Sequence, residues 1–329
     1  MPTAHPGRDP ETITHIQDIL NAMNKNINHL IHGRESYIVY FGDELIMKRP
    51  LPTLSDSARE QLLAKQHRTK DAIDEIHAVG NPRYNIPRMI HIKDDEYQLL
   101  EECAPGQHLT PELFKSLSRR QQYEIIDGVA SFLVDMNELK PIQEIQRHKI
   151  ASELKFNRLD RFIENKMHHW FKDDEVKYMA SIRDNIGTFE YDTRAAWSHC
   201  DLNPGNVLYD PETSTLSFID FAEANYRFIY RDIFAPLQIE LGICRRVYET
   251  YCKMHNNTKY SMPSVNNENL RQIMKYRVIC ALLKRFIKAS DDLRLSPENT
   301  KGIQNNQNKV QFMHEQIQKI IDIDRQFSK

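Results

Sequence analysis

Apolar positions divide the chain into a strand-rich first third and a largely helical remainder. Glu11 to Asn24 carries Ile13, Ile16, Ile19 and Leu20 at helical spacing. Three short apolar runs come next, Ile27 to His32, Ser36 to Phe41 and Glu44 to Lys48, and they predict strands. Gly33 punctuates the first pair, Gly42-Asp43 turns the second, and Pro50 and Pro52 end the third. Ser55 or Ser57 offers an N-cap for a helix reaching about Ala78. Met89 to Lys93 and Glu96 to Glu101 predict a hairpin turned at Asp94-Asp95. Past Cys103 the period changes. Pro111 to Leu139 holds two helical patterns, with Ile125, Val129, Phe132 and Leu133 on one face. Pro141 to Phe171 and Asp173 to Ile186 read as charged helices, Trp197 to Asp220 as loop, strand, turn and strand, and helices resume from Ile233. Repeated βαβ units are absent from the pattern, which excludes a doubly wound sheet. The expectation is an α+β chain: a small lobe of five strands over residues 1–103 and a mainly helical lobe over 104–329.

Composition narrows the partners more than the fold. The 329 residues carry a formal net charge of -2, so bulk electrostatics gives no reason to bind nucleic acid or an acidic membrane. The start of the chain has no apolar stretch suited to a secretory signal, and no apolar run approaches bilayer-spanning length. The five cysteines form no C-x-x-C pair, so they suggest neither a disulfide framework nor a zinc site. Reduced thiols in the cytoplasm are the expectation.

The chemistry concentrates in Ser198-His199-Cys200-Asp201-Leu202-Asn203-Pro204-Gly205-Asn206-Val207-Leu208, followed after a turn at Asp210-Pro211 by Phe218-Ile219-Asp220-Phe221. An H-x-D-x-x-x-x-N loop leading into an apolar strand and a second aspartate fits phosphoryl transfer. A hydroxyl nucleophile needs a carboxylate to orient it and take its proton, and Asp201 suits. Magnesium needs hard oxygen ligands, which the Asn206 amide and the Asp220 carboxylate supply. A hairpin from Val207 to Ile219 would return Asp220 to the side of Asn206. Asp, Asn, Pro and Gly are also ordinary turn residues. It is their joint spacing, with strands in the right places, that favours chemistry over a plain turn.

The run HCDLNPGNVL with FIDFAEA resembles the aminoglycoside phosphotransferase and choline kinase family, the small-molecule branch of the protein-kinase-like fold. Cys200 stands where that family usually has glycine, a replacement that a negative φ would accommodate, and Asn203 stands in place of a histidine. The resemblance implies a bilobal kinase-like fold and an ATP- and Mg2+-dependent transfer to a hydroxyl of a small molecule. It also implies a nucleotide-binding set. Lys48, ending Leu45-Ile46-Met47-Lys48, would hold the α/β-phosphates. Backbone groups of the His32 to Ser36 turn and the Ser36 hydroxyl would meet phosphate oxygens, although a plain β-turn also fits there. Main-chain groups at Glu101 to Cys103 would bind adenine, with Gly106 as the glycine after the hinge. The lysine's acidic partner would come from the next helix, with Glu60 placed first and Gln66 or Glu75 at other turns. Asp232 would support the catalytic loop. Two alternatives keep the fold: a protein acceptor, or a nucleotide-binding pseudokinase acting as an interaction module.

Overall fold

The computed structural model describes residues 27–32, 36–41, 45–94, 97–139, 143–144, 172–186, 194–228 and 231–255, with positions 311, 314, 315 and 318. The helix read at Glu11 to Asn24, the turns at 33–35 and 42–44, and most of Pro141 to Phe171 lie outside the described residues, as does nearly all of the chain beyond His255. In chain order the elements begin β1 (Ile27–His32), β2 (Ser36–Phe41), β3 (Leu45–Pro50), α1 (Asp56–Val79), β4 (Met89–Lys93), β5 (Gln98–Glu102), β6 (Gln107–His108), α2 (Pro111–Ser116) and α3 (Arg119–Glu138). They continue β7 (Gln143–Glu144), α4 (Asp173–Ile186), β8 (Arg194–Ser198), β9 (Val207–Asp210), β10 (Thr215–Phe218), β11 (Asn225–Phe228), α5 (Pro236–Leu241) and α6 (Cys244–His255). No helix among the described residues is long and apolar enough to cross a membrane.

The chain forms two compact units. One joins Met1–Leu109 to Asn206–Glu223, and the other joins Thr110–Gly205 to Ala224–Lys329. The division therefore differs from a single cut after residue 103: the hairpin after the H-x-D loop packs with the first unit. Hydrogen bonding explains this. β6 pairs with β9, and Asn85 takes a strand position beside β10, its N–H donating to Leu216 (2.7 Å) and its carbonyl accepting from Phe218 (2.9 Å). Gly106, at φ 96°, lets β6 come this close, because a Cβ there would lie 2.4 Å from the Tyr209 carbonyl carbon.

The first unit is built on an antiparallel sheet in the order β1-β2-β3-β5-β4. Strand side chains alternate between faces. Val39, Phe41 and Met47 form a buried cluster on one face with Leu45 and Leu100. The β2–β3–β5 register consequently puts Ser36, Tyr40, Lys48 and Glu101 together on the other face. Helix α1 starts where the Ser55 hydroxyl accepts from the Ala58 N–H and stops at Gly80, whose φ is 67°. Its buried stripe is Gln66, Thr69, Ala72, Ile73 and Ile76.

The second unit is organised by α3, which opens with a capping box between Ser118 and Gln121. Ile125, Val129, Phe132 and Leu133 are buried on its inner face, and the helix packs on β8 and α6. β8 lies between β11 and β7. Two stretches depart from the sequence expectation. Residues 143–144 are strand rather than helix, because Gln143 and Glu144 pair with Ala195 and Arg194, and Trp197 and Ser198 end the strand Arg194–Ser198 rather than starting a loop.

Candidate active site

Lys48 and Glu101 lie two residues apart diagonally across β3 and β5, since Lys48 faces Leu99 and Ile46 faces Glu101. Diagonal neighbours on one face are within reach of long side chains. The Lys48 ammonium and the Glu101 carboxylate meet at 2.6 Å, with side-chain exposures of 21% and 10%. Burial alone would pull the lysine's pKa down. The Glu101 carboxylate and then the Asp220 charge outweigh burial, and the pKa stands above its ordinary value. Tyr40 shares this face, its pKa raised first by burial and then by Cys103. Ser36, half-buried, starts β2 on the Lys48 side of the sheet.

The acidic partner of Lys48 is therefore on a strand, and this corrects the expectation placed on Glu60. Glu60 is exposed near the start of α1. It precedes the buried Gln66 by six residues, which puts it roughly 120° round the helix from the inward stripe. Glu75 is also exposed, while Gln66 is buried with its amide oxygen lacking a partner among the described residues. Nothing local in the sequence signals the Glu101 ion pair, and the family resemblance implies only main-chain contacts there. Period-2 alternation would have put Lys48 and Glu101 on one face, but only once β3 and β5 were known to be neighbours.

Asn206 and Asp220 occupy the open end of the β9–β10 hairpin. Val207 pairs with Phe218, and the next rung is the Ile219 N–H donating to the Asn206 carbonyl (3.0 Å). Asp220 comes directly after, exposed, in a left-handed backbone conformation with φ 63°. The next residues are tied to α1. The Thr69 hydroxyl donates to the Phe221 carbonyl (3.1 Å), and the Lys65 ammonium meets the Glu223 carboxylate at 2.8 Å. Nothing local in the sequence signals the Thr69 contact, since a threonine in an amphipathic helix carries no signal of its own.

The H-x-D loop belongs to the second unit. His199 is fully buried, edge-on to Phe132 with ring centroids 6.1 Å apart, and its Nδ1 accepts the Asp201 N–H at 3.3 Å. Asp201 itself is exposed. The Cys200 N–H donates to the buried Asp232 carboxylate (3.1 Å), whose residue lies in the turn before α5 rather than at the helix N-cap, which is Ala235. From α5 the Leu237 N–H donates to the Leu202 carbonyl (3.2 Å), and the Gln238 amide donates to the Asp232 carbonyl (2.8 Å).

Cys200 overturns one expectation. Its φ is 72°, so the place where the family usually has glycine is left-handed, not negative. For a residue with a Cβ that conformation costs roughly 1–2 kcal/mol. Its thiol is unsuited to nucleophilic chemistry: burial first, and then the Asp232 charge, push its pKa up to about 12.

Among the described residues no group of three or more His, Cys, Asp or Glu is gathered as a metal site. Magnesium does not require one. It is commonly held by one or two protein oxygens, with phosphate and water completing an octahedron. An amide oxygen and a carboxylate at the mouth of one hairpin, with the Asp220 charge felt at Lys48, fit that donor set.

A family model described as "Phosphotransferase enzyme family" matches residues 27–255. No curated protein matches the chain by sequence. Solved structures are similar in fold at low identity. The GDP and kanamycin complex of APH(2")-IIia superposes with a TM-score of 0.63 at 14% identity, covering 92% of this chain and 98% of that one. The ADP-bound aminoglycoside phosphotransferase APH(2'')-Ib gives 0.52 at 16% identity, covering 95% and 98%. A choline/ethanolamine kinase family protein from Mesorhizobium loti gives 0.55 at 12% identity, covering 95% and 99%. With its strand lysine, its H-x-D-x-x-x-x-N loop and its returning aspartate in an α+β kinase-like fold, the chain belongs to the phosphotransferase enzyme family.

Proposed function

We propose that this protein transfers the γ-phosphoryl group of ATP, with magnesium, to a hydroxyl of a small molecule. The observation that carries the reading is the grouping of Asn206 and Asp220 at one hairpin mouth, in the unit whose Lys48 feels the Asp220 charge. Asp201 precedes Asn206 by five positions, the spacing of the H-x-D-x-x-x-x-N loop. In the proposed reaction a bond forms between the acceptor oxygen and the γ-phosphorus. The bond from that phosphorus to the bridging oxygen breaks, and the nucleoside diphosphate leaves. Asp201 orients the acceptor hydroxyl and accepts its proton. Lys48 neutralises the α/β-phosphates, with Glu101 fixing its position, and the Ser36 hydroxyl and neighbouring backbone meet phosphate oxygens. Main-chain groups at Glu101 to Cys103 hold the base. Asn206 and Asp220 would hold magnesium, which when bound supplies charge neutralisation for the triphosphate.

The fold neighbours support a small-molecule acceptor, one being a kanamycin complex and one a choline/ethanolamine kinase family protein. They include both GDP and ADP complexes, so the test pairs the two triphosphates. Among the described residues the thiols of Cys200, Cys244 and Cys252 are in no disulfide, which supports a reducing, cytoplasmic setting. The deciding experiment incubates purified protein with magnesium, ATP or GTP, and a panel of amino alcohols, aminoglycosides and sugars, reading diphosphate release. Acceptor-dependent release supports the proposal. Nucleotide binding with no release for any acceptor favours the pseudokinase alternative instead.

A further inference from the structure

Cys200, the residue immediately before Asp201, is left-handed without being glycine, and two consecutive side chains hold both of its peptide groups. The Arg231 guanidinium donates to the Cys200 carbonyl (Nη2 to O, 3.0 Å), and the Asp232 carboxylate accepts the Cys200 N–H (3.1 Å). We propose that Arg231 is a positioning residue for the transfer: together with Asp232 it clamps Cys200 in the left-handed conformation and so sets the direction in which Asp201 leaves the loop. The inference rests on the role assigned to Asp201 above.

The argument is one of torsional geometry. In the left-handed region a Cβ crowds the next carbonyl oxygen, whereas glycine adopts the region freely. With cysteine here, the loop must be held by something outside the residue. The thiol is a poor anchor, since sulfur is a weak donor and its contacts are to the Ser198 and Asn225 carbonyls at 3.3 and 3.8 Å. The clamp from the 231–232 side chains is the stronger restraint, because both partners are charged. Relaxation of Cys200 to negative φ would rotate the peptide between residues 200 and 201. That would carry the Asp201 N–H off His199 Nδ1 and swing the Asp201 side chain with it. The rest of the loop has its own ties, through the Leu237 N–H to the Leu202 carbonyl, so loss of the arginine contact should act locally.

A double-mutant cycle tests this, using the full chain as parent, Arg231→Met, Cys200→Gly and the pair. Two quantities are measured: the thermal midpoint, and magnesium-dependent hydrolysis of ATP and of GTP with kcat and KM separated. In the parent background Arg231→Met is expected to lower kcat about tenfold with KM changed less than about twofold. In the Cys200→Gly background the same substitution should cost less than about threefold in kcat and a smaller fall in midpoint, because glycine needs no clamp. Equal losses in both backgrounds overturn the proposal and make Arg231 an ordinary structural residue, and so does a raised KM with unchanged kcat. Should Arg231→Met fail to fold, Arg231→Lys runs the same cycle, since lysine keeps the charge without the planar fork. A parent that binds but hydrolyses neither nucleotide counts against the phosphotransfer reading, while the midpoint coupling still decides the clamp.

Discussion

Cys200 and Asp220 both hold a left-handed backbone beside a proposed reacting group, at φ 72° and 63°, and they are held in different ways. Asp220 ends a ladder. Backbone pairing from Val207–Phe218 to Ile219–Asn206 delivers it to its place, and α1 fastens the next residues through Thr69 and Lys65. Cys200 sits just beyond β8, and side chains from 231–232 take both of its peptide groups. The ladder depends on many backbone bonds and little on any one side chain. The residue-200 end of the loop depends more on a few side chains, while the Leu202 carbonyl is tied by the Leu237 N–H. The proposed metal end should therefore tolerate substitution around it better than the proposed base loop.

The sharpest separation comes from the two aspartates. Asp201→Asn should lower turnover by about a thousandfold while leaving magnesium–nucleotide affinity nearly unchanged, because the carboxylate acts on the acceptor. Asp220→Ala should lose turnover and magnesium-dependent affinity together. Calorimetry paired with diphosphate release reads both, and an equal loss of binding in the two variants would mean that Asp201 is a metal ligand or a structural group.

Lys48→Met comes next. Removing the ammonium strands the Glu101 carboxylate, which is 10% exposed, so folding stability at pH 7 should fall by about 3 kcal/mol. The pair Lys48→Met with Glu101→Gln should recover most of it. The pH dependence has a definite sign. The folded pKa of Lys48 lies above the ordinary lysine value of 10.5, so its contribution is complete below that value and is lost as pH rises through the raised one. Denaturant titrations of parent and variant should keep a constant gap from about pH 7 to 9 that narrows above about 10.5.

Thr69→Val tests the ladder side more gently. It removes the hydroxyl that donates to the Phe221 carbonyl at a cost of about 1 kcal/mol, and should raise the magnesium concentration for half-maximal turnover roughly fivefold. Thr69→Ser should restore the parent value, and an unchanged magnesium response would remove Thr69 from the positioning of Asp220. The smallest effect belongs to Cys200→Gly. Relief of the left-handed conformation exceeds the entropy that glycine loses on folding, so stability should rise by up to about 1 kcal/mol, read as a higher thermal midpoint. A lower midpoint would show that the thiol's packing outweighs the backbone term.

Legibility in the sequence tracked the range of each interaction. β1, β2 and β4 coincide with their apolar runs, and α4 with Asp173 to Ile186, because alternation and helical period are local properties. A serine cap at Ser55 or Ser57 was readable for the same reason, and the structure selects Ser55. β6, β7 and β11 were not, being two to four residues long and defined by partners far along the chain. Within the site, the H-x-D-x-x-x-x-N spacing and the returning aspartate could be read directly. The helix glutamate sought for Lys48 could not be replaced by Glu101 until the sheet order put β3 beside β5.

By itself the sequence determined the strand-rich first third, the helical period of the later segments, and the residue types that phosphoryl transfer requires at their spacing. Spacing along a chain fixes which groups share a turn, a helix face or a strand face, since backbone geometry has a short repeat. Tertiary structure decided the partners. It put Glu101 on Lys48, Thr69 on the segment after Asp220, and Arg231 and Asp232 on Cys200. Each of those contacts joins residues about 30 to more than 150 positions apart, and which distant groups meet depends on strand order and helix docking rather than on any local period.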